Sequence, residues 1–486
     1  MSLKRKAASG SIWISLTRTG INVIDFAVYA YLARILSLED FGLVGVCLLF
    51  VEFTNTIVTA GVNQNLVQRK AWSDAYASST MIFVLGIAIL LASILVFIGA
   101  PIAFYTYSNV AGYVVASLAP ITILMSLQVV VSGKLQREFK NKQMGIAKFI
   151  ATVTSSILII ALAEVGYGLW ALVIGRLVNA ILEFVFLSIV ASFKPYLRFN
   201  KSDNQELVKF CLPLLWSAIL NFVNRKVTNI LTGIVLGPAS FALLATAKKG
   251  EQVITQVTLS SINSMVVPSF SRVKEKEKLG DLYIKMVGIT ATLVLPIFMG
   301  LAAISEPFIK LAFGGKFSDS AVFMSISAFS MFAAVLGWYM PNLLISQAKT
   351  SEAFKLNVIV ITCNFIVASL SIWFGITTML VSVVLLNIML IPVRFYFITK
   401  YIPINYRKLI TTILPPYFCS LMMFFCISGL SAVLTPVINS EIVLLILLIF
   451  SGLIFYPLLV FTLFYRNSCQ QIQDIREMIT KKTNSV

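Results

Sequence analysis

Stretches of about twenty predominantly apolar residues recur from one end of this chain to the other. That is the length a helix needs to cross the hydrocarbon of a bilayer. Read this way, spans fall near 11–34, 41–63, 78–100, 111–133, 144–164, 167–191, 207–236, 239–267, 282–304, 319–345, 353–373, 376–399, 409–433 and 441–465. The expected fold is therefore an all-α polytopic membrane protein of about fourteen transmembrane helices.

Composition agrees: 58% of the residues are hydrophobic, 12% are charged, and the mean hydropathy is +0.92, outside the range of a soluble domain. The connections are short, so no soluble catalytic or nucleotide-binding domain fits between spans. No Gly-x-x-x-x-Gly-Lys-Ser/Thr phosphate loop occurs either, which argues against ATP hydrolysis and against an enzyme. Histidine is absent, removing the usual metal ligand and the usual proton shuttle near neutral pH; any coupling to a proton or sodium gradient then falls to carboxylates. The six cysteines have no Cys-x-x-Cys spacing, so no metal site, disulfide framework or other cofactor is expected.

A net charge of +18 raises nucleic acid as a partner, but its distribution answers for it. Lys4/Arg5/Lys6, Arg69/Lys70, Lys134/Arg137/Lys140/Lys142, Lys194/Arg198/Lys201, Arg272/Lys274/Lys276/Lys278, Lys349, Lys400/Arg407/Lys408 and Arg466/Lys481/Lys482 all fall on one side of the predicted spans. Basic residues collect on the cytoplasmic side, which places both termini there and excludes a nucleic-acid role. The basic start, Met1-Ser-Leu-Lys-Arg-Lys, leads into a long run carrying Arg18 and Asp25 without a small-residue cleavage site. It reads as an uncleaved first span.

Short outer turns with Gly, Pro or Asp, such as Val165-Gly-Tyr-Gly168 and Leu236-Gly-Pro238, pair neighbouring spans as antiparallel hairpins. The polar, basic connection after six spans divides the chain into an N-terminal lobe (1–191), a cytoplasmic linker (192–206) and a C-terminal lobe (207–399). Spans 13 and 14 (400–465) are appended, and a cytoplasmic tail follows (466–486). In the tail, Ile472, Ile475 and Ile479 have helical spacing, compatible with a short helix on the inner membrane surface or with a frayed end. An internal repeat supports the two lobes: residues 36–43, LSLEDFGL, align with 236–243, LGPASFAL, at an offset of 200. At that offset Asp25 corresponds to Arg225, Glu52 to Gln252 and Asn63 to Asn263. Duplicated lobes place a cavity at their interface in many transporters.

Charges at membrane depth are costly and mark functional positions by default. Arg18, Asn22, Asp25 and Tyr29 form one stripe on the first span, and Glu52, Asn55, Thr59 and Asn63 another on the second. Asn221, Arg225, Thr228 and Thr232 repeat the rhythm on the seventh, while Lys249, Gln252 and Gln256 lie on the eighth. Each of the basic pairs Arg225/Lys226 and Lys248/Lys249 sits roughly ten residues, about 15 Å of helix rise, from the Gly237-Pro238 turn. Arg18, Arg225, Lys226, Lys248 and Lys249 outnumber Asp25, Glu52 and Glu251. Polar residues that merely join helices account for single members of the set, but not for the excess of cations. The excess fits an anionic ligand such as a diphosphate, held by charge-assisted hydrogen bonds. Elsewhere, Arg176, Asn179 and Glu183 share a face and read as structural. Arg394 reads as snorkelling to the interface, and the prolines 213, 268, 296, 341 and 392 permit kinks.

Leu32-Ala-Arg-Ile-Leu-Ser-Leu-Glu-Asp-Phe-Gly42, Leu135-Gln-Arg-Glu-Phe-Lys140, Gly166-Tyr-Gly-Leu-Trp-Ala-Leu172, Leu236-Gly-Pro238 and Pro296…Gly300…Glu306-Pro…Phe313-Gly-Gly315 carry a resemblance. In their order and spacing, from about residue 5 to 400, the chain resembles Wzx-type lipid-linked polysaccharide flippases. These form the O-antigen and capsule branch of the multidrug/oligosaccharidyl-lipid/polysaccharide exporter superfamily. The resemblance implies two six-helix lobes plus two helices in the bacterial inner membrane, with undecaprenyl-diphosphate-linked oligosaccharide as substrate. It further implies alternating access of a cationic cavity, with polysaccharide polymerase and chain-length proteins as associated machinery and membrane lipids as contacts. By position, the anionic headgroup maps to Arg18, Arg225, Lys226, Lys248 and Lys249. Asn22, Asp25, Glu52, Asn221, Gln252 and Gln256 are left as cavity-lining or ion-coupling candidates. The chain departs from relatives in carrying Thr228 where an acid is frequent and Ala242-Leu-Leu244 where Gly-x-Tyr is frequent. The alternative is a cation-coupled multidrug exporter of the same superfamily, with Asp25 and Glu52 as ion ligands.

Overall fold

The structure is a computed structural model that describes residues 3–464 except 71, 272, 274 and 439; the side chains of 3–12, 14, 15, 257, 259–269 and 271 are not described. Every regular element among the described residues is helical. In order they are α1 (Leu3–Ile35), α2 (Leu38–Thr59), α3 (Val62–Gln68), α4 (Asp74–Ile94), α5 (Ala100–Thr106), α6 (Asn109–Leu118), α7 (Pro120–Arg137), α8 (Asn141–Glu164), α9 (Leu169–Ala191) and α10 (Lys201–Leu231). Then follow α11 (Gly237–Ser271), α12 (Lys276–Ala303), α13 (Ser305–Phe313), α14 (Ser320–Gly337), α15 (Met340–Ser346), α16 (Thr350–Ser371), α17 (Ile376–Met389), α18 (Ile391–Thr399), α19 (Tyr406–Leu434) and α20 (Glu441–Leu463).

Twelve stretches among the described residues have the length and hydropathy to cross a membrane, which makes this a multi-pass membrane protein. Fourteen were expected, and the difference has two sources. α1 is not among the twelve, and residues 201–256 count once although the chain turns within them at Gly237, whose φ of 84° opens α11. Prolines act as expected in part: Pro213 and Pro296 lie inside α10 and α12. Pro341 and Pro392 instead open α15 and α18, splitting the tenth and twelfth expected spans. The tail from 466, Arg272, Lys274 and the side chains of Asn263 and Pro268 lie outside the described residues.

The chain divides into two compact units, Met1–Ala242 and Leu243–Val486. In the first, α8 packs on α1 and α9, α7 on α4 and α9, and α10 on α2, α3 and α4. Thus α10, which begins within the expected linker, is grouped with the helices before it. Helix starts are set by local chemistry: Ser37, Ser73, Ser108 and Asn200 each cap a helix by accepting a backbone N–H two or three residues on, satisfying donors the helix leaves open. Glu39 and Asp40 add charge that favours the α2 N-terminus. The two repeated segments meet here. A Cβ on Gly42 would stand 1.8 Å from the Pro238 carbonyl oxygen, and one on Gly45 2.4 Å from the Phe241 ring, so only glycine lets these backbones approach.

The second unit is built around α12, which packs on α19 and α14. Tyr283, Phe298, Tyr339 and Leu343 have no exposure in its core. Three core hydroxyls are satisfied internally: Tyr283 donates to the Leu336 carbonyl at 2.7 Å, and Thr290 and Tyr339 share a hydrogen bond. Gly280 allows the start of α12 to reach the Pro403 carbonyl, 2.1 Å from where a Cβ would stand. Outside the spans, Lys310 pairs with Glu306 at 2.7 Å, which raises its pKa, whereas desolvation lowers that of Lys316.

Candidate functional site

Adjacent residues on a helix point about 100° apart, so Arg225 and Lys226 of α10 serve different surroundings. Lys226 turns to α2 and meets Glu52, Nζ to Oε2 at 2.6 Å. The flanking rings of Phe53 and Phe222, with centroids 5.4 Å apart, set the approach of the two helices. Arg225 is exposed, and its Nε donates to the Asn221 carbonyl one turn back at 3.3 Å. Asn221, also exposed, donates to the Ser217 carbonyl at 2.8 Å. Arg225 therefore carries a full charge with no carboxylate partner among the described residues.

On α1, Arg18 is exposed and Asn22 half-buried. Asp25 lines a small cavity of about 30 Å³ together with Tyr29, Ser155, Arg176 and Asn179, space for a water molecule or two. Asn179 donates to Ser155 at 2.9 Å. Glu183, one face with Arg176 in the sequence, instead takes Lys148 of α8 at 2.5 Å. Lys148 escaped the sequence reading because it sits near the end of a span, where a lysine passes for an interfacial anchor. Glu164 is similarly engaged, accepting from Tyr31.

A cluster of basic side chains ties α3, α4, α7 and α10 together. Arg137 donates to the carbonyls of Leu66, Val67, Arg69 and Lys70 at 2.6–3.2 Å, capping the end of α3. Arg69 stacks 3.4 Å above the Tyr76 ring and pairs with Glu206 of α10 at 3.3 Å. The sequence showed these basic residues as orientation signals; only side-chain geometry gives them carbonyl and carboxylate partners.

The other basic pair, Lys248 and Lys249, belongs to the second unit. Both are half-buried on α11, Glu251 feels the charge of Lys248, and Gln252 and Gln256 are exposed. Of the five cations and six polar candidates, the structure joins Lys226 to Glu52 directly and lines up Asn221 with Arg225. It places Asp25 on a small cavity that Arg176 also lines and Arg225 does not.

Arg394 corrects one expectation. It does not snorkel: its Nη2 donates to Asn387 Oδ1 at 2.8 Å, and Asn387 in turn donates to Asn364 at 3.0 Å, a half-buried chain of neutral amides on α16, α17 and α18. The same unit holds an apolar cavity of about 320 Å³, lined by Pro296, Gly300, Met423, Gly452, Tyr456 and Pro457 among others, with no charged side chain. No single apolar run foretells it, since α11, α12, α19 and α20 all contribute.

Comparison with known proteins completes the picture. The chain is 26% identical over 322 residues to the succinoglycan biosynthesis transport protein ExoT of Rhizobium meliloti (strain 1021), covering 65% of each chain. It is 24% identical over 438 residues to the lipopolysaccharide biosynthesis protein WzxC of Escherichia coli (strain K12), covering 87% of each. Among solved structures, the fold matches the lipid II flippase MurJ in an inward closed conformation with a TM-score of 0.79, over 94% of this chain and all of that one, at 17% identity. An inward-facing multidrug-resistance MATE transporter of the MOP superfamily matches at 0.59, over 80% of this chain and 93% of that one, at 14% identity. The profile of the family described as "Polysaccharide biosynthesis protein" matches residues 31–322, more than half of the sequence, and the chain belongs to that family.

Proposed function

We propose that the protein is a flippase for undecaprenyl-diphosphate-linked oligosaccharide repeat units. It moves them from the cytoplasmic to the periplasmic face of the bacterial inner membrane for O-antigen, capsule or exopolysaccharide assembly. Membership of the polysaccharide biosynthesis family sets the class, and the WzxC and ExoT likenesses point to export of polysaccharide material. The observation that carries the headgroup assignment is Arg225, an exposed cation at membrane depth whose only hydrogen bond among the described residues is to a neutral carbonyl. A diphosphate supplies the charge this position lacks. Lys226 and Arg18 of the same unit join Arg225 as headgroup contacts, and Lys248 and Lys249 of the second unit are further candidate anion contacts, while the polyprenyl tail stays in lipid and alternating access changes the face to which the cations open. Both termini are cytoplasmic in this scheme, and the polymerase and chain-length proteins act on what it delivers.

The test is genetic. In a strain lacking the native gene, the double variant Arg225→Ala/Lys248→Ala is expected to abolish surface polysaccharide while remaining in the membrane at normal levels. Normal polysaccharide from that variant removes the cationic assignment. A second reading, a cation-coupled drug exporter, has the MATE-like fold and the Asp25 cavity in its favour and the cation excess against it. Drug accumulation in an efflux-deficient strain separates the two.

A further inference from the structure

We propose that Glu52 is a displaceable counter-ion for Lys226. In this state the carboxylate occupies the lysine, and a diphosphate ligand takes Lys226 over by expelling Glu52. The inference rests on the headgroup reading above and concerns how that site is kept closed to the wrong ligands.

Three observations support it. The pair is tight at 2.6 Å, yet it stands in partial solvent access, with 49% of the Glu52 side chain and 28% of the Lys226 side chain exposed. An ion pair so placed holds its partners in register but is weak enough to exchange. Next, the helices are positioned independently of the charges, because Phe53 and Phe222 pack ring to ring beside them; α2 and α10 keep their contact when the ion pair opens. Finally, the charges are unbalanced. Glu52 and Lys226 cancel, leaving Arg225 beside them as a single positive charge without a carboxylate among the described residues. A monoanion satisfies Arg225 alone. A diphosphate, with two or more negative charges, gains from both cations and outcompetes one carboxylate for Lys226. One turn beyond Glu52 on the same stripe, Asn55 Oδ1 is buried without a hydrogen-bond partner. Discrimination thus comes from an intramolecular competitor, a repulsive element built against weakly charged lipids.

The experiment measures binding of farnesyl diphosphate to the full-length protein in detergent, with farnesol as the control for the tail. Lys226→Ala is expected to weaken binding by about tenfold or more, the worth of a charged hydrogen bond. Glu52→Gln is expected to tighten it by about two- to fivefold, the range of partly exposed ion pairs, and to have no effect when Lys226 is already alanine. If Glu52→Gln folds poorly, Glu52→Asp, which shortens the reach to Lys226, carries the same direction of change. Weaker or unchanged binding in a Glu52 variant that melts like the native protein overturns the proposal, provided Lys226→Ala still weakens binding. Tightening that persists in the Lys226→Ala background overturns it too, as plain charge repulsion. Native-like binding by Lys226→Ala removes Lys226 from the headgroup contacts and overturns the counter-ion role with it, while the headgroup reading still stands on Arg225.

Discussion

In the first unit, charged side chains of different helices meet one another, Glu52 with Lys226, Lys148 with Glu183 and Arg69 with Glu206, beside the local pairs that Glu138 makes with Lys134 and Lys140. The second unit makes its described ion pairs differently. Lys278–Glu275, Lys310–Glu306 and Lys355–Glu352 span three or four residues of one chain segment, and Lys408–Asp281 joins two exposed side chains. Its interior is a continuous apolar cluster around α12, and its half-buried cation, Arg394, is held by the Asn387 amide. Between helices surrounded by lipid, apolar burial adds little and close packing or polar contact must supply the attraction. The first unit relies more on polar contact, the second more on packing. A packed core is difficult to rearrange without creating voids, whereas an ion pair exchanges one partner for another. Candidate ligand contacts with exchangeable partners therefore gather in the first unit.

The sharpest way to break this comparison is to overpack the second unit. Gly280→Ala drives a Cβ into the Pro403 carbonyl and is expected to lower stability by about 3 kcal/mol. Gly429→Ala, where a Cβ meets nothing within 4 Å, should be neutral or slightly stabilising in the same thermal unfolding assay in detergent. A smaller effect is expected from Asn387→Leu. It strips Arg394 of its amide acceptor and should cost about 2 kcal/mol, measured as the shift in unfolding midpoint; no change would mean that the guanidinium has another berth and that the amide chain is incidental. The smallest tests exchange itself. Lys148→Glu and Glu183→Lys singly should each cost about 0.5–1 kcal/mol, and the double exchange should recover most of the loss. Failure of recovery in a double-mutant cycle would tie these charges to their individual surroundings instead of to each other.

Much of the site was legible as residue types and faces. The stripes on α1, α2 and α10 are helical, Asn221 and Arg225 do lie one turn apart, and the Gly237-Pro238 turn stands where expected, with φ positive at Gly237. Helical period says which residues share a face. It says nothing of what that face meets, so in the sequence Glu52 stands with Asp25 as an ion-ligand candidate, and only the crossing of α2 and α10 gives it to Lys226. Lys148 and Arg394 illustrate the same gap. Depth along one helix makes Lys148 unremarkable and Arg394 a candidate for snorkelling, while the partner of each lies on a neighbouring helix.

The sequence by itself determined that the chain is a bundle of membrane helices, because apolar run length and backbone hydrogen bonding leave a long greasy segment few other choices. It determined the helix starts as well, through Ser and Asn caps that act within three residues. Tertiary structure alone decided which charges pair with each other and which, like Arg225, have no carboxylate partner among the described residues. That choice depends on distances of a few ångströms between side chains far apart in the chain, as between Glu52 and Lys226, and coulombic attraction at such range rewards contact and not composition.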